Sequence, residues 1–229
     1  MKLGIFLPGR LKSERLPEKL ILPLDGITLF ELACQTLSEV DGVGRYTLLF
    51  DKQLIEIAKK YPKIKIIKRD PKTCESDGPL SYIFGALKNL PHTYLMFLNP
   101  CMYNLKADTI QKAIDVFLNS GFDYATSAKK YRNWLWHDNK PLLPIDYKTL
   151  STKEISPCYE AAHCFHIFNK TLFFKTGKML GKDLKLIEVP QEEALDIDTK
   201  EDYEYAKHFL MQKRKKQKKD RKRKEEPLG

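Results

Sequence analysis

No apolar run in the 229-residue chain approaches the roughly 20 residues a helix needs to cross a bilayer, which excludes a helical membrane span. The opening "MKLGIFLPGR" has too short an apolar segment for a secretory signal and lacks a small-residue cleavage site, so we expect a cytoplasmic protein. Cysteine is sparse and unpaired in pattern: Cys34, Cys74, Cys101, Cys158 and Cys164 are odd in number, scattered and free of any C-x-x-C spacing. They read as reduced packing thiols, since a catalytic cysteine needs a low-pKa setting that the sequence does not display. Glycine-rich phosphate loops are missing too: there is no G-x-x-x-x-G-K-[ST], and the segment behind the first apolar run holds only Gly9. No internal repeat is visible.

What is present is an ordinary globular composition, 42% hydrophobic and 31% charged, over a length that suits one core domain with a smaller excursion. The net charge of +10 is unevenly placed. From Lys213 to Gly229 ten Lys or Arg face three acidic residues, so this tail carries +7 and the body only +3. Such a tail suits RNA, DNA or an anionic membrane surface, and equally a solvated, disordered extension.

Short β-rich runs alternate with helical patterns, which indicates an α/β domain on a largely parallel sheet. "LGIFL", "YTLLF", "IKII" and "TYLMFL" read as strands, the last buried on both faces. Between them, Leu29, Leu32, Ala33 and Leu37 have helical spacing, "DKQLIEIAKKY" follows as a second helix and "PLSYIFGALKNL" as a third. Ile110, Ala113, Ile114 and Phe117 form the apolar stripe of a further helix closed by Gly121. From about Ala128 the pattern loosens into a segment with both tryptophans, and regular structure resumes with "HCFHIF", "KTLFFKTGKML" and "LKLIEV". The final helix starts near Thr199, with Asp202 completing a capping box, and is expected to fray into the tail. The boundaries are therefore a core over 1–127 and 161–210, an excursion over 128–160 and a basic tail over 211–229.

Three segments carry candidate chemistry. In an open α/β sheet the loop after the first strand is a favoured phosphate site, and "PGRLKSERLPEK" lies there. Arg10 and Arg15 can each grip phosphate oxygens through two parallel hydrogen bonds, and Lys19 adds a compact charge. A solvated basic loop would carry the same residues. In "EALDIDTKEDYEYA", Asp196 and Asp198 are two apart, so an extended backbone turns both carboxylates one way around an anchoring Ile197. Two hard oxygen ligands suit Mg²⁺; a helix cap and a turn are the plainer use of the same pair. "FLNPCMYNL" brings Asn99, a neutral donor and acceptor, to the same sheet edge.

The order of these segments carries a resemblance. "LPGRLKSERLPEK" resembles the motif I-P-A-R-x-x-S-x-R-L-P-x-K of the nucleotide-activating cytidylyltransferases, which include CMP-sialic acid and CMP-Kdo synthetases. "YLMFLNPCMYNL" is similar to the sialic-type L-Q-P-T-S-P-L-R segment, and the stretch ending "DIDTKED" to the family's D-I-D-T-x-x-D. The resemblance spans residues 3 to about 208. It implies a three-layer, Rossmann-like nucleotidyltransferase (GT-A-like) fold and Mg²⁺-dependent transfer of CMP from CTP to a 2-keto sugar acid, sialic acid-like or a related nonulosonic acid, with pyrophosphate released.

Carried over by position, Arg10, Ser13, Arg15 and Lys19 match the triphosphate loop, with Leu7, Pro8 and Gly9 leading into it. Asp196 and Asp198 match the metal pair, Arg69 an arginine near the nucleotide, and Asn99 a glutamine that contacts the sugar; Tyr159 falls on the sugar side. The implied catalytic set is Arg10, Lys19 and Asp198. The excursion corresponds to the family's dimerisation segment, which implies a homodimer. The chain departs from the pattern at Leu11 and Lys12, where sialic-type enzymes have two glycines, and at Ala162 and His163, where an Asn-Gly pair is usual. "NPCMYN" lacks the serine, threonine and arginine of the sugar-side motif. No dedicated general base stands out, although His163 and His166 lie in the right segment. Two other readings stay open: a sugar-phosphate nucleotidyltransferase using another NTP, and an inactive nucleotide-binding relative with a nucleic-acid-binding tail.

Overall fold

The first apolar run forms β1, Leu3–Pro8, whose first five residues are all buried, as befits a strand covered on both faces. Period-2 alternation divides it: Leu3, Ile5 and Leu7 face one core and Phe6 the other. The computed structural model describes residues 2–24, 26–75, 78–145, 148, 151–153 and 155–225. After the basic loop come two short paired strands, β2 (Pro23–Leu24) and β3 (Ile27–Thr28), then helix α1 (Leu29–Glu39), capped by the Thr28 hydroxyl accepting from the Glu31 N–H. Next follow β4 (Gly44–Leu49), α2 (Lys52–Lys59), β5 (Lys65–Lys68) and the short helices α3 (Pro71–Glu75) and α4 (Leu80–Ile83). The chain continues through β6 (Tyr94–Leu98), α5 (Ala107–Leu118), β7 (Tyr124–Tyr131), the hairpin β8 (Trp136–His137) and β9 (Lys140–Pro141), and β10 (Cys158–Asn169). It ends with α6 (Lys170–Thr176), β11 (Lys185–Glu188) and α7 (Lys200–Glu225).

Seven strands form the central sheet in the order β11-β7-β10-β6-β1-β4-β5. All run the same way except β10, which is antiparallel to both β6 and β7. One face packs on α1 and α5 through Phe30, Leu37, Ile110, Ile114 and Phe117. The other is covered by α6 and the segment after α4, through Phe84, Leu87 and Phe173. The mostly parallel sheet between helical layers is the architecture the sequence led us to expect. Its consequence is that the carboxyl ends of β1, β4 and β6 and the start of β10 share one edge.

The structure differs from the sequence expectation in four places. The helix expected over 79–90 stops at Ile83 and continues as a 3-10 turn, Gly85–Leu87, because Gly85 is a poor helix former and Phe84 is drawn into the core. Strand β7 went unread because its centre, Thr126 and Ser127, is polar, yet both residues are buried. There the register of β10 against β7 shifts between Ala161 and His166. Ser127 Oγ accepts from the N–H groups of Cys164 (2.9 Å) and Phe165 (3.2 Å), satisfying donors that the bulge takes from the ladder. In β6, Phe97 is only partly buried, with one side on the Phe6 and Phe84 rings of the core and the other on a cleft. Finally, the helix expected over 170–180 ends at Thr176, where Gly177 takes a left-handed C-cap (φ 73°), while α7 runs into the tail as expected and stays helical to Glu225.

The range 128–160 includes the end of β7, the β8–β9 hairpin and the start of β10; residues 146, 147, 149, 150 and 154 lie outside the described residues, as do 226–229 of the tail. Among the described residues no helix is long and apolar enough to cross a membrane. All five cysteines are free thiols.

Candidate functional site

The loop behind β1 is pinned at both ends. The Gly9 N–H donates to Leu48 O at 3.2 Å, and a Cβ on Gly9 would come within 2.8 Å of Leu49 and 2.9 Å of Leu54, so glycine lets the chain leave the strand flush against α2. The Leu11 N–H donates to Asp51 Oδ2 (3.2 Å), and the Glu18 N–H returns to Leu11 O (3.2 Å), closing residues 11–18 into a compact loop. Glu18 adopts a left-handed backbone (φ 53°), which turns Lys19 inward.

The segment that meets it lies almost at the other end of the chain. Ile197 is fully buried and its N–H donates to Cys101 O at 3.2 Å, anchoring "DIDT" beside the loop that follows β6. Beyond it, Asp202 Oδ2 accepts from Asp198 N–H (3.1 Å), Thr199 N–H (2.8 Å) and Thr199 O–H (2.9 Å), while the Asp202 N–H donates to Thr199 Oγ1 (3.2 Å). This reciprocal box fixes the start of α7 and with it the direction of Asp198.

Lys19 Nζ then donates to Ile197 O (3.0 Å) and Asp198 Oδ1 (2.8 Å), and the Arg15 guanidinium reaches Asp198 Oδ2 at 2.9 Å. Burial pushes the Asp198 carboxyl up, but the Lys19 hydrogen bond and the charges of Lys19 and Arg15 outweigh it and hold the group below its ordinary value. Burial pulls the Lys19 ammonium down, while Cys101 and then Asp198 raise it, and the net shift is upward. The nearby Cys101 thiol is pushed up to about 12 by burial and stays neutral, which leaves Asp198 as the anionic partner.

These groups open onto a cleft of about 820 Å³. Arg10, Ser13, Arg15, Lys19, Arg69, Asn99 and Asp198 all line it, together with the backbone turn at Pro8 and Gly9. Arg10 Nη1 donates to Cys74 O (3.1 Å), which ties the loop to α3. Arg69 is buried, donates through Nε to Thr73 Oγ1 (3.0 Å), and has its pKa lowered by that burial. Asn99 is held on three sides: its N–H donates to Cys164 O (2.9 Å), its Oδ1 accepts from Cys101 N–H (3.0 Å), and its Nδ2 donates to Asp196 Oδ2 (3.2 Å).

Three expected residues stand apart. Leu7 is buried in the core, Tyr159, 44% exposed on β10, lines no part of the cleft, and Asp196 lines a smaller neighbouring cavity instead. Conversely, Lys12, Phe84 and Phe97 do line it. Lys12 was legible in the basic run; the two phenylalanines were not, because their spacing is that of core residues.

The carboxylates can be tested as Mg²⁺ ligands. Among the described residues no cluster of three or more His, Cys, Asp or Glu is poised for a metal. Mg²⁺ usually needs only one or two protein carboxylates, the rest being water and phosphate. Asp196 Oδ1 is buried without a hydrogen-bond partner, and the Asp196 carboxyl is raised by burial and then by the charge of Asp198. A buried carboxylate oxygen without a partner, two residues from Asp198, is a donor of the kind a hard cation takes.

No protein-family model and no curated protein sequence matches the chain. Solved structures do match in fold. The CMP:2-keto-3-deoxy-manno-octonic acid synthetase complexed with CTP aligns with a TM-score of 0.67 at 13% identity, over 93% of this chain and 100% of that one. A 4-diphosphocytidyl-2C-methyl-D-erythritol synthase from Anaerococcus prevotii gives 0.64 at 15%, over 91% and 96%. A cytidylyltransferase from Leptospira borgpetersenii gives 0.59 at 20%, over 90% and 85%. At these identities the likeness establishes one thing: the chain has the Rossmann-like nucleotidyltransferase fold found in cytidylyltransferases.

Proposed function

We propose that the protein is a nucleotidyltransferase that uses CTP and transfers CMP to a hydroxyl of a small sugar-like acceptor, a 2-keto sugar acid in the first instance. The observation that carries this reading is the meeting of the basic loop with Asp198 across 179 residues of sequence, at the carboxyl edge of a nucleotidyltransferase-type sheet. Five cations in one cleft suit a triphosphate. In the reaction the acceptor oxygen bonds to the α-phosphorus, the bond from that phosphorus to the β-phosphate bridging oxygen breaks, and pyrophosphate leaves; the hydroxyl proton passes to solvent. Charge grows on the leaving group, so fixed positive groups account for much of the acceleration. Arg10 and Lys19 would hold the leaving pyrophosphate, Ser13 and Arg15 the remaining phosphate oxygens, and Arg69 would keep the far wall in place. Asp198 and Asp196 would hold Mg²⁺, which when bound neutralises phosphate charge.

The excursion is proposed as a dimerisation surface, because Trp136 and Leu142 are 52% and 58% exposed on or beside the β8–β9 hairpin. The basic tail is proposed as a contact for nucleic acid or another anionic surface. The deciding experiment is pyrophosphate release from each of four NTPs with Mg²⁺ and a panel of sialic, Kdo-like and related acids. Release with CTP and a keto acid supports the reading. Release with another NTP and a sugar 1-phosphate moves the protein to that reaction, and silence throughout sinks the enzymatic reading.

A further inference from the structure

The charge of the tail is carried on a helix whose start is fixed to the body and whose far end has nothing to bury. Thr199 and Asp202 cap α7, the Tyr203 hydroxyl donates to Pro23 O (2.6 Å), the Phe209 ring lies edge-on to Tyr103, and Lys213 Nζ donates to Asn104 Oδ1 (2.8 Å). The helix then continues from Arg214 to Glu225. From Arg214 to Lys224 nine of the eleven residues are Lys or Arg, the others are Gln217 and Asp220, and none is apolar. Set on the helical period of about 3.6 residues, the nine positions leave no gap as wide as a quarter turn around the axis.

Three kinds of anionic partner compete for such an element, and its pattern separates them. A helix that lies on a lipid surface sinks an apolar stripe into it, and this stretch has no apolar residue to sink. Single-stranded nucleic acid is held largely by bases stacked on aromatic rings, and the stretch has no aromatic residue either. Cations on every side are used together only in a groove walled by phosphates on both flanks. A helix with its side chains is about 10–12 Å across and the major groove of B-form DNA about 12 Å wide, whereas the major groove of A-form RNA is deep and narrow. Charge density agrees with this choice. Eleven helical residues span about 16 Å, over which a DNA duplex presents about ten phosphate charges, against a net +8 on the stretch. We propose that residues 214–224 of α7 are a docking surface for duplex DNA, seated in the major groove through phosphate contacts that carry no sequence preference. The proposal rests on the reading of the tail as an anionic contact and is independent of the CTP reading, since the stretch begins about 20 Å along α7 from its cleft end.

The test is fluorescence anisotropy on the full chain with labelled duplex DNA, duplex RNA and single-stranded DNA of one sequence, alongside co-sedimentation with phosphatidylserine vesicles and elution from heparin. The expected result is duplex DNA bound tenfold or more tighter than the other two nucleic acids, no co-sedimentation with vesicles at about 150 mM salt, and loss of duplex binding when the chain is cut after Leu210. Gln217→Pro breaks the helix without removing a charge and should weaken duplex binding fivefold or more, while Gln217→Ala leaves it within twofold. Both variants should keep CTP binding within twofold of wild type. The proposal is overturned if duplex RNA, single strands or vesicles bind as tightly as duplex DNA, if Gln217→Pro binds like wild type, or if duplex binding survives the truncation. Heparin retention that needs the tail but comes without a duplex preference overturns the docking surface and leaves the wider anionic-contact reading standing; heparin retention that does not depend on the tail overturns both.

Discussion

Asp198 faces two cations at once, with Lys19 at 2.8 Å and Arg15 at 2.9 Å, while remaining part-exposed to the cleft. A carboxylate so placed contributes little to stability, because partly exposed ion pairs are worth about 1 kcal/mol or less. Its importance is electrostatic and local to the cleft. Asp198→Asn should therefore lower turnover ~100-fold or more while shifting the melting temperature by only a few degrees; retained turnover would remove Asp198 from the catalytic set. A different residue governs the response to acid. His166 is 9% exposed, its Nδ1 lies 2.9 Å from Thr126 Oγ1, and it stacks on Phe97; burial, followed by the charge of His163, lowers its pKa to about 4. A histidine lowered in the fold binds its proton more readily when unfolded. Its stabilising effect is thus complete above pH 6.5 and is lost progressively as pH falls towards 4, by up to about 3 kcal/mol. Urea unfolding at pH 7, 5.5 and 4.5 should show this loss in the wild type and a flatter profile in His166→Gln. Identical slopes would dismiss His166 as the acid-sensitive group.

The element that controls the site most directly is the first turn of α7. Thr199 and Asp202 cap each other, and Asp202 also accepts from the Asp198 N–H, so the cap and the site share a hydrogen-bond network. Thr199→Ala should cost about 1 kcal/mol of stability, the usual loss for a helix cap. It should also weaken nucleotide binding, because Asp198 loses its fixed direction; the check is chemical denaturation alongside CTP titration, and a stability loss with unchanged affinity would uncouple cap from site. This cap was legible from Thr199 and Asp202 alone, as were β1 and α5 from their apolar periodicity. Strand β7 was not, because Thr126 and Ser127 are polar residues whose partners, the His166 ring and the Cys164 N–H, lie on β10, 40 and 37 residues on in sequence. The helix expected over 79–90 failed for a related reason: Phe84 and Leu87 are spaced for a helix face, yet Gly85 lets the chain tighten into a 3-10 turn that buries them differently.

At the scale of the whole molecule the fold joins chain ends that sequence separates, since Lys19 and Asp198 meet only because β1 is central in the sheet and α7 crosses the end of β6. Each segment read alone was ambiguous, a solvated loop or a helix cap; their joint order led us to expect that the two meet, and Lys19 and Arg15 do meet Asp198. Charge is distributed by the same long-range logic. The body carries +3, and nine of the tail's ten cations lie on the distal part of α7, beyond the contacts of Phe209 with Tyr103 and of Lys213 with Asn104. Past Lys213 the sequence to Glu225 has no apolar residue to bury, so its helix rests on the propensity of Lys, Arg and Gln and not on packing. Removing everything after Leu210 should therefore leave turnover within about twofold, because the contacts it removes, those of Gln212 with His208 and of Lys213 with Asn104 among them, lie away from the cleft. The same truncation should shift elution from a heparin column to markedly lower salt, since polyanion affinity scales with the number of cations that displace counterions. Unchanged elution would assign polyanion binding to the cleft loop, and lost turnover would make the tail part of the enzyme.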